Sequence, residues 1–372
     1  YGHRFGYECN LSDRTNGLPL EEETIAEVFK TNGYRTAAIG KWHLGSRDEQ
    51  HPNNRGFDLF YGMKAGGRDY FYNEKKSDRP GDERNLLLND RQVKFEKYLT
   101  DAFSEKAVEF INESSQPFMM YLAYNAVHTP MQATDEDMAK FEGHPRQKLA
   151  AMTYALDRGV GTVIRGLKDS GKFDNTLIFF LSDNGGATTN QSSNYPLKGF
   201  KGNKFEGGHR VPYFVVWKNG IPAGKPYDGL VSSLDIFATA IDAASISKTR
   251  NRLDGVSLLP YLKGKKGEPH KVLYWRKMDT RAIRSGDYKL IITHGVDSVL
   301  YNIRRDPEEM NNLINKEPDL YRKLAKKLAK WEKNECIEPS WLEEGWRKIT
   351  NRYHQQLMHN EIKTAQDLYK KK

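Results

Sequence analysis

Apolar residues between Leu20 and Asn32 fall at helical spacing, with Ile25, Val28 and Phe29 at i, i+3 and i+4 behind the acidic Glu21-Glu22-Glu23, and Gly33 stands where a helix ends. The spacing predicts a helix there, followed by a short buried strand, Thr36–Ile39, that ends at Gly40-Lys41-Trp42-His43. A second helical period, Phe103, Ala107, Val108 and Ile111, predicts a helix over 101–112. It leads into the apolar run Phe118–Tyr124, a strand ending near His128. A third, through Leu149, Met152, Leu156, Val160, Val163, Ile164 and Leu167, leads to a buried strand over Thr176–Leu181 that ends at Asp183-Asn184. Helix followed by continuous apolar strand, three times over, predicts an α/β fold with a mostly parallel sheet covered on both faces. A strand at Tyr213–Trp217 and a helix over Leu234–Ala244 extend the same sheet.

Past the Lys/Gly/Pro-rich stretch 263–270 the texture changes to short strand-like pieces, Val272–Trp275, Arg281–Arg284 and Tyr288–Thr293, separated by turns. The expected organisation is therefore a large α/β domain over 1–265 and a smaller C-terminal α+β subdomain over 266–372. The latter carries antiparallel strands, an amphipathic helix over Leu320–Trp331 and a polar, basic, helix-capable tail. A chain of 372 residues suits this division, because single cores stop growing near about 250–300 residues.

Composition narrows the class. With 38% hydrophobic and 29% charged residues the chain is globular and not disordered, and no run of 18 apolar residues predicts a transmembrane segment. The excess of 58 Lys and Arg over 49 Asp and Glu is spread along the chain, which argues against a nucleic-acid-binding arm. It favours an acidic ligand, whether sulfated glycan, nucleic acid or anionic lipid, and reads equally well as solvated lysine-rich faces. Cys9 and Cys336 stand far apart, in neither a disulfide framework nor a zinc spacing.

Three successive strands thus deliver Lys41 and His43, then His128, then Asp183 and Asn184, each just past its apolar run. Open α/β sheets bind ligands outside the carboxyl ends of their strands, so these groups are expected to converge on one crevice. Each alone has a plainer reading: a strand-end histidine is often only hydrogen-bonded, and Asp-Asn-Gly is also a turn signal. Together, Lys41, Lys201, His43 and His128 suit a tetrahedral anion, and a histidine beside a leaving oxygen suits general acid catalysis. Asp183 and Asn184 offer adjacent oxygens to calcium or magnesium, fewer than the six or more such an ion needs.

Five ordered motifs carry a resemblance. Gly40-Lys41-Trp42-His43-Leu44-Gly45, the segment His51–Asp58, Asn125-Ala126-Val127-His128-Thr129-Pro130, Ser182-Asp183-Asn184-Gly185-Gly186 and the segment Lys201–Pro212 resemble those of type I, formylglycine-dependent sulfatases. These are arylsulfatase-like members of the alkaline phosphatase superfamily. Later pieces agree: Leu253–Pro260, Arg284–Leu290 and Leu300-Tyr301-Asn302. The resemblance implies an alkaline phosphatase-like fold and hydrolysis of sulfate esters on a sulfated polysaccharide or oligosaccharide, an algal polysaccharide such as ulvan or carrageenan, or a glycosaminoglycan. Asp183 and Asn184 would be two ligands of a calcium ion, with Mg2+ as the alternative. Lys41 and Lys201 would grip sulfate oxygens, His43 would help remove a proton during sulfate release, and His128 would protonate the leaving alcohol. Arg68 and Asp69, in Gly66-Gly67-Arg68-Asp69-Tyr70-Phe71, are weaker candidates against the sugar ring, as are Trp275 and Arg276.

The family's nucleophile is a formylglycine made from Cys or Ser in a C/S-x-P/A-x-R motif, with two further Asp ligands on a first strand; this sequence contains neither. Tyr1–Gly6 resembles the segment that follows the nucleophile helix, and Cys9 lacks the motif's Pro/Ala and Arg. The expectation is a fragment whose nucleophile lies upstream of Tyr1, missing the central strand of its sheet and inactive and poorly stable alone. The resemblance further implies secretion or a periplasmic location, and a formylglycine-generating or anaerobic maturation enzyme as partner. Two other readings stand beside it: a phosphodiesterase or phosphonate hydrolase of the same superfamily, and a non-catalytic sulfated-glycan-binding protein.

Overall fold

The computed structural model describes residues 17–190, 192–336 and 344–370. Tyr1–Gly6 and Cys9 fall outside them.

The first helix, α1 (Ile25–Thr31), starts later than its apolar period suggests. Thr24 caps it: the Thr24 hydroxyl accepts from the Glu27 backbone N–H at 3.1 Å, and the Glu27 carboxylate accepts from the Thr24 N–H at 2.7 Å. This reciprocal box satisfies two otherwise orphaned donors, so Glu21–Glu23 stay outside the helix.

Strand β1 (Arg35–Lys41) is an interior strand of a five-stranded sheet, parallel to β2 (Leu59–Met63) on one side and to the edge strand β5 (Phe118–Ala123) on the other. A two-residue hairpin, β3 (Leu87–Leu88) and β4 (Arg91–Gln92), completes the order β4-β3-β2-β1-β5. Side chains alternate across β1 with the period of a strand. Ala37 and Ile39 enter a core with Phe103 and Phe110 of α2 (Leu99–Glu113) and Met152 and Val163 of α3 (Gln147–Asp169). Ala38 faces the other way, onto Ala26 of α1, Trp42, Phe57 and Phe60. Both faces are covered, as a parallel sheet requires.

One expectation is corrected. Strand β6 (Ile178–Leu181) does not extend this sheet but pairs antiparallel with β7 (Tyr213–Val216) in a separate two-stranded ladder. The sheet content is therefore mixed. An apolar run predicts burial on both faces but carries no information about which neighbour supplies the hydrogen bonds. Among the described residues β5 has a ladder partner on one edge only, and so has β6. Around these edges Tyr121, Phe180, Phe214 and Val216 remain 45%, 40%, 58% and 42% exposed.

The C-terminal part is an antiparallel meander, β8 (Val272–Lys277), β9 (Thr280–Ser285), β10 (Tyr288–Thr293) and β11 (Asp297–Asn302), in the order β11-β10-β9-β8. Ile283, Leu290 and Leu300 pack on Leu324 and Leu328 of a helix, Pro318–Glu335. Ala282, Ile291, Val299 and Tyr301 pack on Leu357 and Met358 of the helix Glu344–Met358 and on Phe200 and Phe205, which arrive from the larger part of the chain. His354 of the same C-terminal helix is buried, with Nδ1 donating to the Thr350 carbonyl at 2.8 Å, and burial pushes its pKa down to about 4.

Gly40 sits in β1 at φ +109, where a Cβ would lie 2.0 Å from the Ala123 carbonyl oxygen. Gly40→Ala is expected to lower stability by at least about 1–3 kcal/mol through strain and separation of β1 from β5. Urea unfolding reads this out, and an unchanged midpoint would contradict it. His354 stays neutral when folded yet titrates near 6.5 when unfolded, so protons favour the unfolded chain below that pH. Stability from this residue is complete above about pH 6.5 and falls towards pH 4 by up to about 1.4 kcal/mol per unit. His354→Leu should flatten the acid limb of unfolding free energy measured at pH 7, 6 and 5; parallel slopes would show that His354 does not contribute.

Candidate active site

Beyond β1 the chain keeps its pairing with the segment after β2, because the Trp42 N–H donates to the Met63 carbonyl and the His43 N–H to the Lys64 carbonyl, both at 3.0 Å. The buried Trp42 indole donates to the Gln50 carbonyl at 3.0 Å and meets Phe57 edge-on at 5.9 Å. Lys41 and His43, on either side of this anchor, are thereby presented at the carboxyl end of β1. His43 adopts φ +55, a left-handed conformation uncommon for non-glycine residues.

At the end of β5 the His128 N–H donates to the Asn125 carbonyl at 2.8 Å, and the buried Tyr70 hydroxyl lies 2.8 and 3.0 Å from the carbonyls of Asn125 and His128. His128 Nδ1 lies 2.8 Å from the Thr129 carbonyl, an acceptor only. Nδ1 therefore carries a proton, and Nε2 is the nitrogen left to exchange one. Past β6, the Asn184 amide donates to the Gly185 carbonyl at 3.0 Å, which leaves its side-chain oxygen for other partners; Asp183 is exposed. The Lys201 N–H donates to the Gly186 carbonyl at 3.0 Å, joining the lysine's loop to the Asp183-Asn184 segment.

Electrostatics shows that the expected groups meet. Burial pushes the Lys41 ammonium down, Lys201 adds to this by repulsion, and Asp183 opposes it. Burial also lowers His43 to about 4, reinforced by Lys41, Lys201 and His128. His128 is lowered by burial against its Thr129 bond, with Lys201 and Lys41 repelling and Asp183 attracting. Lys41, His43, His128, Lys201 and Asp183 thus share one field, and the histidines are neutral at pH 7. Such a pocket is repulsive to itself and attractive to an anion.

The donor set fits part of a cation site. Asp183 and the free oxygen of Asn184 are hard donors, but among the described residues no group of three or more His, Cys, Asp or Glu side chains converges to hold a metal. Two residues fall short of the six or more oxygens of a calcium shell.

Arg68 and Asp69 are buried and paired within the protein. Arg68, 2% exposed, forks onto Asp78 at 2.7 and 2.8 Å and also donates to the Asp69 and Arg84 carbonyls. Asp69, 6% exposed, accepts from Ser77 at 2.5 Å and Gln132 at 2.8 Å. Both brace the loop that carries Gly66 and Gly67. Trp275 stacks on His209, with ring centres 4.5 Å apart, and Arg276 lies 3.9 Å from Glu332.

Sequence reasoning missed a buried charge cluster behind Lys201. Lys289 of β10 bridges Glu206 at 2.9 Å and Glu309 at 3.0 Å, and Glu309 accepts the Glu206 N–H at 2.6 Å. Lys198 donates to the Glu309 carbonyl at 2.6 Å and lies over the Phe205 and Tyr301 rings. Burial and Glu206 push Glu309 up to about 7; Lys289 holds Glu206 well below the usual carboxylate range although burial works against its ionisation. The 198–209 loop is fixed from beneath, and the Gly185 N–H in turn donates to the Gly208 carbonyl at 3.0 Å. The only sequence signal was the Glu206-Gly207-Gly208 run; its partners lie 83 and 103 positions on.

The chain belongs to the sulfatase family: the sulfatase profile matches residues 1–246, and a profile described as N-sulphoglucosamine sulphohydrolase, C-terminal, matches 201–334. Among relatives, an uncharacterized sulfatase, YdeN, of Escherichia coli (strain K12) is 37% identical over 305 residues, covering 73% of this chain and 52% of its own length. N-acetylgalactosamine-6-sulfatase of Canis lupus familiaris is 31% identical over 288 residues, covering 73% and 55%. The chain spans about half the length of these curated relatives. The crystal structure of Ps i-CgsB in complex with k-i-k-neocarrahexaose superposes with a TM-score of 0.84 at 35% identity, covering 97% of this chain and 85% of that one. The phosphonate monoester hydrolase of Agrobacterium radiobacter, at 17% identity and TM-score 0.60, shares the fold, with 92% of this chain and 88% of that one covered.

Replacing Lys289 by Met leaves two carboxylates facing each other in the interior, and we expect a loss of about 3–5 kcal/mol. Denaturant unfolding tests this; a loss below about 1 kcal/mol would mean the cluster is not held by its lysine.

Proposed function

We propose that the protein hydrolyses sulfate esters on a sulfated polysaccharide or oligosaccharide, with carrageenan as the leading candidate. The observation that carries this is the shared field of Lys41, Lys201, His43 and His128 beside Asp183 and Asn184, a pocket built for a tetrahedral anion. The carrageenan assignment rests on the neocarrahexaose bound by the 35% identical structure. A glycosaminoglycan is the second substrate class, favoured by the N-acetylgalactosamine-6-sulfatase relatives.

In this reading Lys41 and Lys201 bind two sulfate oxygens and neutralise charge that grows on them as the S–O bond breaks. His128, with Nδ1 tied to Thr129, delivers a proton from Nε2 to the leaving sugar oxygen. It enters the reaction protonated because the negative charge of the bound sulfate favours the imidazolium and offsets the burial and the lysine repulsion that lower it in the free protein. His43 is neutral and accepts the proton lost during sulfate release. Asp183 and Asn184 would hold calcium, or magnesium in its place, which would supply polarisation of the sulfate, and a formylglycine would supply the attacking oxygen.

We place that nucleophile and the remaining metal ligands upstream of Tyr1, so that residues 1–372 alone are inactive. Among the described residues, the half-filled donor set and the unpaired edges of β5 and β6 support this. A formylglycine-generating or anaerobic maturation enzyme would act on the missing residue. Secretion or a periplasmic location follows from the same reading; no described helix is long and apolar enough to cross a membrane. The division at residue 265, with a smaller subdomain over 266–372, belongs to this proposal.

Sulfate release from carrageenan and glycosaminoglycan oligosaccharides, with phosphate esters in parallel, tests the reading. The full-length, matured protein should release sulfate and 1–372 should not, and Lys201→Ala should lower kcat/KM by roughly 100-fold or more. Turnover by 1–372 would remove the upstream nucleophile, and preference for phosphate esters would remove the sulfatase assignment for this protein's substrate.

A further inference from the structure

His43 is held by more than its own strand. Its backbone sits at φ +55 and is tied to the Lys64 carbonyl. Its ring lies directly over Gly66: a Cβ on that glycine would stand 2.6 Å from Cε1, 2.8 Å from Nε2 and 3.0 Å from Nδ1. Real Cβ atoms do not approach so closely, so the imidazole occupies the space that any side chain at 66 would need.

The loop beneath cannot easily retreat. The Ala65 N–H donates to the Glu83 carbonyl at 3.0 Å, Arg68 is forked onto Asp78, and Asp69 is held by Ser77 and Gln132. All three atoms that a Cβ at 66 would meet first belong to a rotatable ring. The ring is therefore what gives way. Gly67, one residue on, differs: a Cβ there would come no nearer than 3.4 Å, to His128 Nδ1, an ordinary contact.

We propose that Gly66 is a positioning residue for His43, its bare Cα forming the seat that fixes the direction of the imidazole. The proposal deepens the sulfatase reading, in which His43 moves a proton. A methyl group at 66 tilts the ring while leaving the fold intact, because the contact it creates is with a side-chain tip and not with backbone. A methyl group at 67 changes neither.

The test uses the full-length, matured protein with Gly66→Ala, Gly67→Ala, His43→Ala and the double variant Gly66→Ala/His43→Ala, assayed on an aryl sulfate ester. Gly66→Ala should lower kcat by about 10- to 100-fold with KM within about twofold and an unchanged melting temperature, since misplacement near 1 Å costs rates of that order. Gly67→Ala should stay within about twofold of wild type. The double variant should be no slower than His43→Ala alone, because the loss at 66 acts through the ring; additive losses would show a role independent of His43 and overturn the proposal, as would wild-type kcat in Gly66→Ala. A second readout needs no turnover: the imidazole resonance that disappears in His43→Ala should shift in Gly66→Ala and stay in place in Gly67→Ala. If the wild type releases no sulfate, the sulfatase reading fails, and this resonance alone decides the inference, an unmoved signal refuting it.

Discussion

The crowding of the Lys41 and Lys201 ammonium groups around His43 and His128 is the constraint on which the pocket depends. Like charges brought together away from water part unless something rigid holds their backbones, and here three separate supports hold the four side chains. β1 and its extended pairing hold Lys41 and His43, the carbonyl-bound turn after β5 holds His128, and a loop clamped by the small sheet holds Lys201. The histidines answer burial and crowding by remaining neutral, and Asp183 supplies a nearby countercharge. An incoming anion would add the countercharge that this arrangement lacks.

The supports are themselves charged and buried. Arg68 on Asp78, and Lys289 between Glu206 and Glu309, each spend desolvation energy that an apolar pair would not. What they give in return is direction: a forked guanidinium or a lysine shared by two carboxylates admits one geometry, where leucine would accept several. Both clusters lie one step behind pocket residues, the first beneath the Gly66 loop and the second beneath Lys201.

Local periodicity made much of this legible. The apolar runs located β1, β5 and β6 and the helices between them to within a few residues, and so placed Lys41, His43, His128 and Asp183 at strand ends before any coordinates. What could not be read was pairing. β6 has the same apolar texture as β5 yet makes a separate ladder, since texture reports burial and not partners. β2 passed unnoticed because Leu59–Met63 is short and follows directly on the Gly56 turn. Arg68 reads in the sequence as a candidate against the sugar ring, and nothing there marks Lys198 or Lys289 as buried; their burial depends on partners 10 to 111 positions away, a separation that no local pattern encodes.

The placement of Phe200 and Phe205 bears on how such a protein is divisible. These rings belong to the core of the C-terminal sheet although they flank Lys201 of the anion pocket. The two parts of the chain are laced together at the very loop that touches substrate in our reading. A recombination joint at residue 265, sensible from the change of sequence texture, would strip those aromatics of their cover and release the lysine they steady. Exchange of C-terminal sheets between relatives is then constrained to carry the 198–209 segment along, so that the unit of inheritance is a sheet together with a piece of the pocket.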